Sequence, residues 1–255
     1  MPEHSLRVEP IPALKDNYVW MFETAPRHWA AVDPGEAEPV RRYLESHSAS
    51  LSHILLTHHH HDHIGGVEPL RRQFGPRVIG AARDRHRLPP LDIAVQDGEQ
   101  VEMGRWKAEV MAVPGHTLGH VVYRVQDALF AGDTLFRFGC GRLFEGSPEQ
   151  MWESLLKIRA LPDATQLCAA HEYTLSNFQF ACFLEPNNTD LQGLLPEIFQ
   201  QTDQEQPTMP WPLGKEKQYN PFLRADQPAF ASTLGLSGQG AAQVFASIRK
   251  KRNSF

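Results

Sequence analysis

The sequence predicts a mixed α/β domain followed by a smaller all-helical one, and three observations lead there. Short β-branched and aromatic runs alternate with helix-period segments through the first two-thirds of the chain. After about residue 174 helical spacing continues but no strand is convincing. Hydrophobic residues make up 41% of the 255, enough to bury a real core. The expected division is 1–173 for the α/β domain and 174–255 for the helical one.

Taken in order, LRVEPI, YVWMF and HWAAVD read as strands, the last closed by turn chemistry at Asp33-Pro34-Gly35. EAEPVRRYLESH has helical spacing, and SHILLTH is a short buried strand running into a histidine cluster. GGVEPLRRQFG is a helix ended by Gly75, with a glycine pair at its start. RVIGA is a strand, VQDGEQVEMGRWKAEVMAV a meander, and VVYRV and ALFAGD two further strands. SPEQMWESLLKIRAL opens with a serine cap and a proline at the first helical position. QLCAAH is the last strand; FQFACFLEP, DLQGLLPEIFQQ and AAQVFASIRKK are helical, and the proline-rich QPTMPWPLGK connects helical parts.

The totals exclude several classes. A net charge of −5 argues against a nucleic-acid partner, since phosphate binding needs a basic surface. No 18-residue apolar run is present, so no membrane partner is expected. The opening MPEHSLRVEP lacks the apolar core of a secretory signal, and the three cysteines, odd in number and far apart, read as reduced thiols. A cytoplasmic monomer is the expectation.

The chemistry lies in a distributed constellation. Four apolar runs each end in a residue able to bind a metal: ILLT leads to His58, VMAVPG to His116, LFAG to Asp133 and LCAA to His171. If each run is a buried strand, four strand ends deliver ligands to one sheet edge. Within THHHHDH, alternation along an extended segment places His58, His60 and Asp62 on one side, with His59 and His61 on the other. Asp62 and His63, at the bend before Gly65-Gly66, are offset toward a neighbouring ion. The spacing thus gives one site of His58, His60 and His116, and a second of Asp62, His63 and His171. Asp133 serves both, a use of carboxylate found in paired metal sites. Nitrogen and oxygen donors suit zinc, iron or manganese, with zinc the default for two divalent ions per chain. An affinity tag would be terminal and uninterrupted; this run is internal and broken by an aspartate.

His58-x-His60-x-Asp62-His63 with His116, Asp133 and His171 resembles the metallo-β-lactamase superfamily. LKDNYVW, THHHHDHIGG, PGHTLGH, FAGDTLF, GCGRLFEG, HEYT, NPFLR and the basic end resemble, in order, the hydroxyacylglutathione hydrolases, or glyoxalase II, within it. The resemblance implies an αββα sandwich with the helical domain behind it, and the same two metal sites. It also implies glutathione contacts at Arg142, Tyr173, Arg249 and Arg252. Two departures stand out: Phe144 where some members carry tyrosine, and the ending RKKRNSF, where Arg252 and Asn253 replace lysine and aspartate. Arginine's fork is not lysine's point charge, so contact geometry there differs.

The implied reaction is hydrolysis of S-(2-hydroxyacyl)glutathione, chiefly S-D-lactoylglutathione to D-lactate and glutathione, in methylglyoxal detoxification. Asp62 and Asp133 are the candidate catalytic carboxylates, and paired cations make hydroxide available near neutral pH. The alternative on the same scaffold is a mono-iron persulfide dioxygenase. A nucleic-acid hydrolase is disfavoured by charge, and a purely structural metal module by the open coordination positions. No Gly-x-Ser-x-Gly elbow or phosphate-cradling glycine loop competes, and Cys140 reads as a loop thiol. Asp33 is a candidate second-layer partner of a ligand histidine, and His120 a candidate neighbour.

Overall fold

Side chains along the strand Asn17–Ala25 alternate between two buried environments, and that alternation builds the first half of the molecule. The computed structural model describes residues 6–255. The chain begins β1 (Val8–Ala13), β2 (Asn17–Ala25), β3 (His28–Val32), α1 (Ala37–Ser46), β4 (Ser50–Leu55), α2 (His61–Ile64), α3 (Val67–Phe74), β5 (Arg77–Ala81) and β6 (Ile93–Val95). β7 (Gln100–Met103), β8 (Trp106–Ala112), β9 (Val121–Val125) and β10 (Ala128–Gly132) follow. Then come β11 (Leu135–Phe136), β12 (Gly139–Cys140), α4 (Pro148–Arg159) and β13 (Gln166–Ala169). The remainder is α5 (Thr174–Leu184), α6 (Thr189–Gln192), α7 (Leu195–Asp203), β14 (Trp211–Pro212), α8 (Leu213–Tyr219), α9 (Pro228–Thr233) and α10 (Ala241–Ser254).

Two six-stranded sheets result, ordered β1-β2-β3-β4-β5-β6 and β14-β13-β10-β9-β8-β7. In the first, β1 to β3 are antiparallel, and β3 to β6 run parallel. Parallel neighbours need crossovers, which α1 and α3 supply. Val19 and Met21 of β2 join Val40 and Leu44 of α1 and Val67 and Leu70 of α3 in one core cluster. The alternate residues Trp20 and Phe22 meet Phe130 of β10, with Phe22 stacked on it at 5.3 Å. Trp106 Nε1 donates to Glu23 O at 2.8 Å, a second tie between the sheets. α3 ends at Gly75 in the left-handed region, φ 64°, which glycine adopts without penalty. This is the expected αββα sandwich followed by a helical region, α5 to α10.

By compactness the described chain forms two units. One runs to Ala112 and adds Gly119–Gly132 and Cys168–His171; the other is Val113–Leu118, Asp133–Leu167 and Glu172–Phe255. In the second, α4 carries the capping box its sequence announces, Ser147 and Gln150 satisfying each other's backbone amides. One expectation needs correction: a strand does occur after residue 174. β14, inside the proline-rich connector, pairs with β13 at Gln166↔Pro212 and Leu167↔Trp211. Two residues between prolines carry no period, so only a waiting strand edge makes them β.

The β11–β12 hairpin, also illegible in sequence, is pinned by side chains. Glu216 of α8, fully buried, accepts from Phe138 N at 2.9 Å and Asn220 Nδ2 at 2.7 Å. Asn220 Nδ2 also donates to Phe136 O and Gly139 O. Burial pushes the Glu216 carboxyl up to about 7, against the pull of Asn220, the Phe138 amide and Arg137. Unfolded, it titrates near the ordinary 4.5, so the unfolded chain releases this proton first as pH rises. This group's contribution is therefore full below 4.5 and lost by about pH 7. Glu216→Gln should flatten that slope by up to roughly 3 kcal/mol, read as the difference between urea-unfolding free energies of variant and wild type at pH 4.5 and 8. An unchanged slope would remove Glu216 as its source.

Candidate metal centre

The ligand-bearing segment begins where β4 ends, at Leu55, and stays extended through His60, whose ψ is 145°. It then turns into α2 at His61, earlier than the Gly65-Gly66 pair suggested. The extended half sets His58 Nε2 3.0 Å from His60 Nδ1. The helical turn sets His63 Nε2 3.3 Å from Asp62 Oδ2, and His171, following β13, brings its Nε2 to 3.4 Å from the same oxygen. Ligand atoms of Asp62, His63 and His171 lie within 4.8 Å of one another, as do those of Asp33, His58 and His63. The His58 and His63 rings are 4.1 Å apart, so the two halves of the motif adjoin. His59 Nδ1 lies 3.3 Å from the buried Asp84 carboxylate, and His61 is exposed; neither belongs to these groups.

Asp33 organises the segment from below. It is 3% exposed, sits at φ 52°, and accepts from Thr57 N (2.8 Å) and Thr57 Oγ1 (2.6 Å). Its Oδ2 also lies 3.1 Å from His63 Nδ1. A carboxylate at Nδ1 fixes the orientation of the ring and turns Nε2 toward Asp62, inside the ligand group. His120 is fully buried and stacks on His58 at 4.7 Å. Burial pushes the Asp62 carboxyl up, but hydrogen bonds with His171, His63 and Asn17 outweigh it and hold it well below the usual carboxylate range.

In the other unit, His116 Nε2 lies 3.3 Å from Asp133 Oδ2, while its Nδ1 faces Arg142 O at 2.8 Å. Gly141 makes this possible: a Cβ there would stand 1.9 Å from Asp133 O and 3.1 Å from His116 Nδ1. His116 and Asp133 line a cavity of about 440 Å³ together with Arg142, Tyr173, Arg249 and Arg252, the residues predicted to contact glutathione. Asp133 is the only carboxylate in that lining. Arg249 donates to Cys140 O at 2.6 Å, and its buried Nε has no acceptor among the described residues. Arg252 donates to Ser176 Oγ and Asn177 Oδ1. Burial, then Arg249 and Arg142, push the Arg252 guanidinium down, the mark of crowded positive charge. Phe144 is 64% exposed and meets His116 edge-on. Cys140 is 4% exposed, and burial raises its thiol to about 11, which disfavours the thiolate.

Imidazole and carboxylate donors at these distances fit divalent zinc, iron or manganese. Sequence reasoning missed Asp16 and Asn17, which face His171 and Asp62, and Asp84, which holds His59. LKDNYVW resembles a family motif, yet nothing in it announces where its polar pair points.

This arrangement is that of a metallo-hydrolase on an αββα scaffold, and the metallo-beta-lactamase superfamily profile matches residues 16–171. A profile for the hydroxyacylglutathione hydrolase C-terminus matches 172–255. The hydroxyacylglutathione hydrolase of Ruegeria pomeroyi is 45% identical over 253 residues, covering 98% of this chain and 99% of that one. That of Methylococcus capsulatus is 46% identical over 253 residues, covering 98% and 99%. In structure the chain is similar to the BLEG-1 B3 metallo-beta-lactamase, with TM-score 0.65, 24% identity, and coverage of 86% of this chain and 99% of that one. The chain belongs to the hydroxyacylglutathione hydrolase family of the metallo-beta-lactamase superfamily.

His61→Ala should leave the metal content of the purified protein unchanged, measured by elemental analysis. A large loss would show that the segment presents its other side to the ions.

Proposed function

We propose that the chain hydrolyses S-(2-hydroxyacyl)glutathione thioesters, chiefly S-D-lactoylglutathione to D-lactate and glutathione, in methylglyoxal detoxification. One observation carries this reading: His116 and Asp133 open into the same cavity as Arg142, Arg249 and Arg252. A metal-ligating pair and a cluster of cations in one pocket suit an anionic substrate with a hydrolysable bond. Family membership supplies the substrate class.

One ion is assigned to His58, His60 and His116, the other to Asp62, His63 and His171, with Asp133 shared. Two divalent ions held there, zinc by default, would supply Lewis acidity and lower the pKa of bound water. The remaining work falls to side chains. Arg142, Arg249 and Arg252 bind glutathione's two carboxylates, with charge-assisted bonds from the guanidinium forks. Arg249 is held in the cavity wall by its bond to Cys140 O. Tyr173 offers a hydroxyl at the pocket wall. Asp62, kept ionised by its neighbours, accepts hydrogen bonds and orients the attacking water. Water oxygen adds to the acyl carbon, the carbon–sulfur bond breaks, glutathione leaves as thiolate, and the two water protons pass to solvent, leaving the acid as its carboxylate. Thiols have pKa values of about 8.5, so no side-chain acid is required. Phe144 lacks a hydroxyl; its ring meets His116 edge-on and its N donates to His116 O at 3.2 Å.

The catalytic domain is placed at 1–173 and the substrate-binding domain at 174–255, a boundary close to where the two family profiles meet. No helix of the described residues is long and apolar enough to cross a membrane, and a cytoplasmic monomer is proposed.

The decisive assay is S-D-lactoylglutathione hydrolysis on protein of measured zinc, iron and manganese content. His58→Ala or Asp133→Ala should abolish turnover and reduce bound metal; normal turnover by either would overturn the assignment. Arg249→Ala combined with Arg252→Ala should raise KM about 10- to 100-fold with kcat largely kept, as expected for charge-assisted contacts made equally in ground and transition states. An unchanged KM would leave both arginines outside the substrate site.

A further inference from the structure

We propose that Asp16 and Asn17 are positioning residues that build the Asp62–His63–His171 metal site, each fixing one ligand that the histidine motif alone leaves unfixed. The inference rests on the metal assignment above and goes beyond it, because neither residue touches substrate or metal.

The geometry is paired. Asp16 Oδ1 lies 2.8 Å from His171 Nδ1. With its Nδ1 directed at Asp16, the His171 ring is held so that Nε2 turns toward Asp62 Oδ2 at 3.4 Å, inside the ligand group. Asn17 Nδ2 donates to Asp62 Oδ2 at 3.1 Å and to Asp62 O at 3.3 Å. These contacts matter because the three ligands are unequally confined. The side chains of His63 and His171 are 1% and 5% exposed, whereas that of Asp62 is 41% exposed. Packing holds the two rings, but Asp62 is free to swing into water unless a donor restrains it. Asn17, 7% exposed, is that donor.

The backbone explains how two consecutive residues reach two ligands far apart in sequence. Asn17 forms an isolated antiparallel bridge with His171, and Tyr18 N donates to Ala170 O at 2.7 Å. The start of β2 is thereby stitched beside the segment that carries His171. Leu14, at φ 53°, turns the chain back just before it. His63 has its own carboxylate partner in Asp33. Each of the three ligands therefore has a separate outer contact, and both histidines have a carboxylate behind them. A carboxylate behind a ligand imidazole raises its basicity and fixes its orientation, and losing such a partner weakens metal affinity about 10- to 100-fold.

The test measures metal, not only turnover. Purified wild type, Asp16→Ala, Asp16→Asn and Asn17→Ala are dialysed, analysed for metal per chain, and titrated with zinc against a chromophoric chelator. Wild type should bind two ions. Asp16→Ala and Asn17→Ala should keep one ion at wild-type affinity and bind the other about 10- to 100-fold more weakly. Asp16→Asn retains an acceptor for His171 Nδ1 but removes the charge, and should fall between. Metal-free thermal unfolding should match wild type; if Asp16→Ala fails to fold, the near-isosteric Asp16→Asn decides. Two ions held at wild-type affinity in the variants would overturn the inference. Weakening of both ions alike would overturn it too, since that reports a general loss of structure. A wild type that binds fewer than two ions is seen before any variant is made, and overturns the metal assignment itself.

Discussion

A buried imidazole that is to offer one nitrogen to a metal needs a buried acceptor for the other, and the first unit is arranged around that requirement. Asp33 meets it for His63, and the same carboxylate takes Thr57's amide and hydroxyl. Through these contacts the end of β3 is tied to the segment leaving β4 and to the helical turn that follows. Parallel pairing of β3 with β4 brings those chain ends to the same sheet edge. That is where open α/β sheets place their ligands. The left-handed backbone at Asp33 is the local cost of aiming one carboxylate at several donors.

The second unit solves a different problem, holding a short irregular hairpin beside a cationic cavity. Backbone groups of consecutive residues in and beside β11 and β12 are met by side chains. Asn220 takes Phe136 O and Gly139 O, Asn177 takes Arg137 O, Glu216 takes Phe138 N, and Arg249 takes Cys140 O. Two-residue strands have too few ladder bonds to hold themselves, and buried backbone groups must be paired. Arg137 is itself buried, bonded to Gln201, Glu197 and Thr208 O, with its guanidinium 3.4 Å over the Trp211 ring. Asn177 and Arg249 thus do double service, since both also line the cavity. Side chains that line the cavity are also the ones that keep its wall in shape.

Several features were legible in the chain because they depend on local pattern. THHHHDH after a buried strand, glycine at the end of α3, and serine with proline at the start of α4 each encode their own geometry through period, cap or turn. The placement of His59 outside the ligand groups agrees with extended-chain alternation, which does not account for His61 and holds only as far as His60. It stops there because the chain turns into α2, and a helical turn, not a strand, brings Asp62 beside His63. The helical texture after residue 174 was equally plain from spacing, save for β14.

By itself, then, the sequence determined the mixed α/β class, the helical C-terminal region and the candidate ligands, since apolar period and residue chemistry are local properties, while the family was legible as a resemblance of ordered motifs. Only the tertiary structure decided which groups stand behind those ligands. Asp16 meets His171, and Asn17 meets Asp62, across long stretches of chain. Glu216 became an internal acid for the same reason, as did the β11–β12 hairpin a pocket wall. Such contacts are fixed by where strands end in space, and a polar side chain carries no mark of the distant partner it will meet.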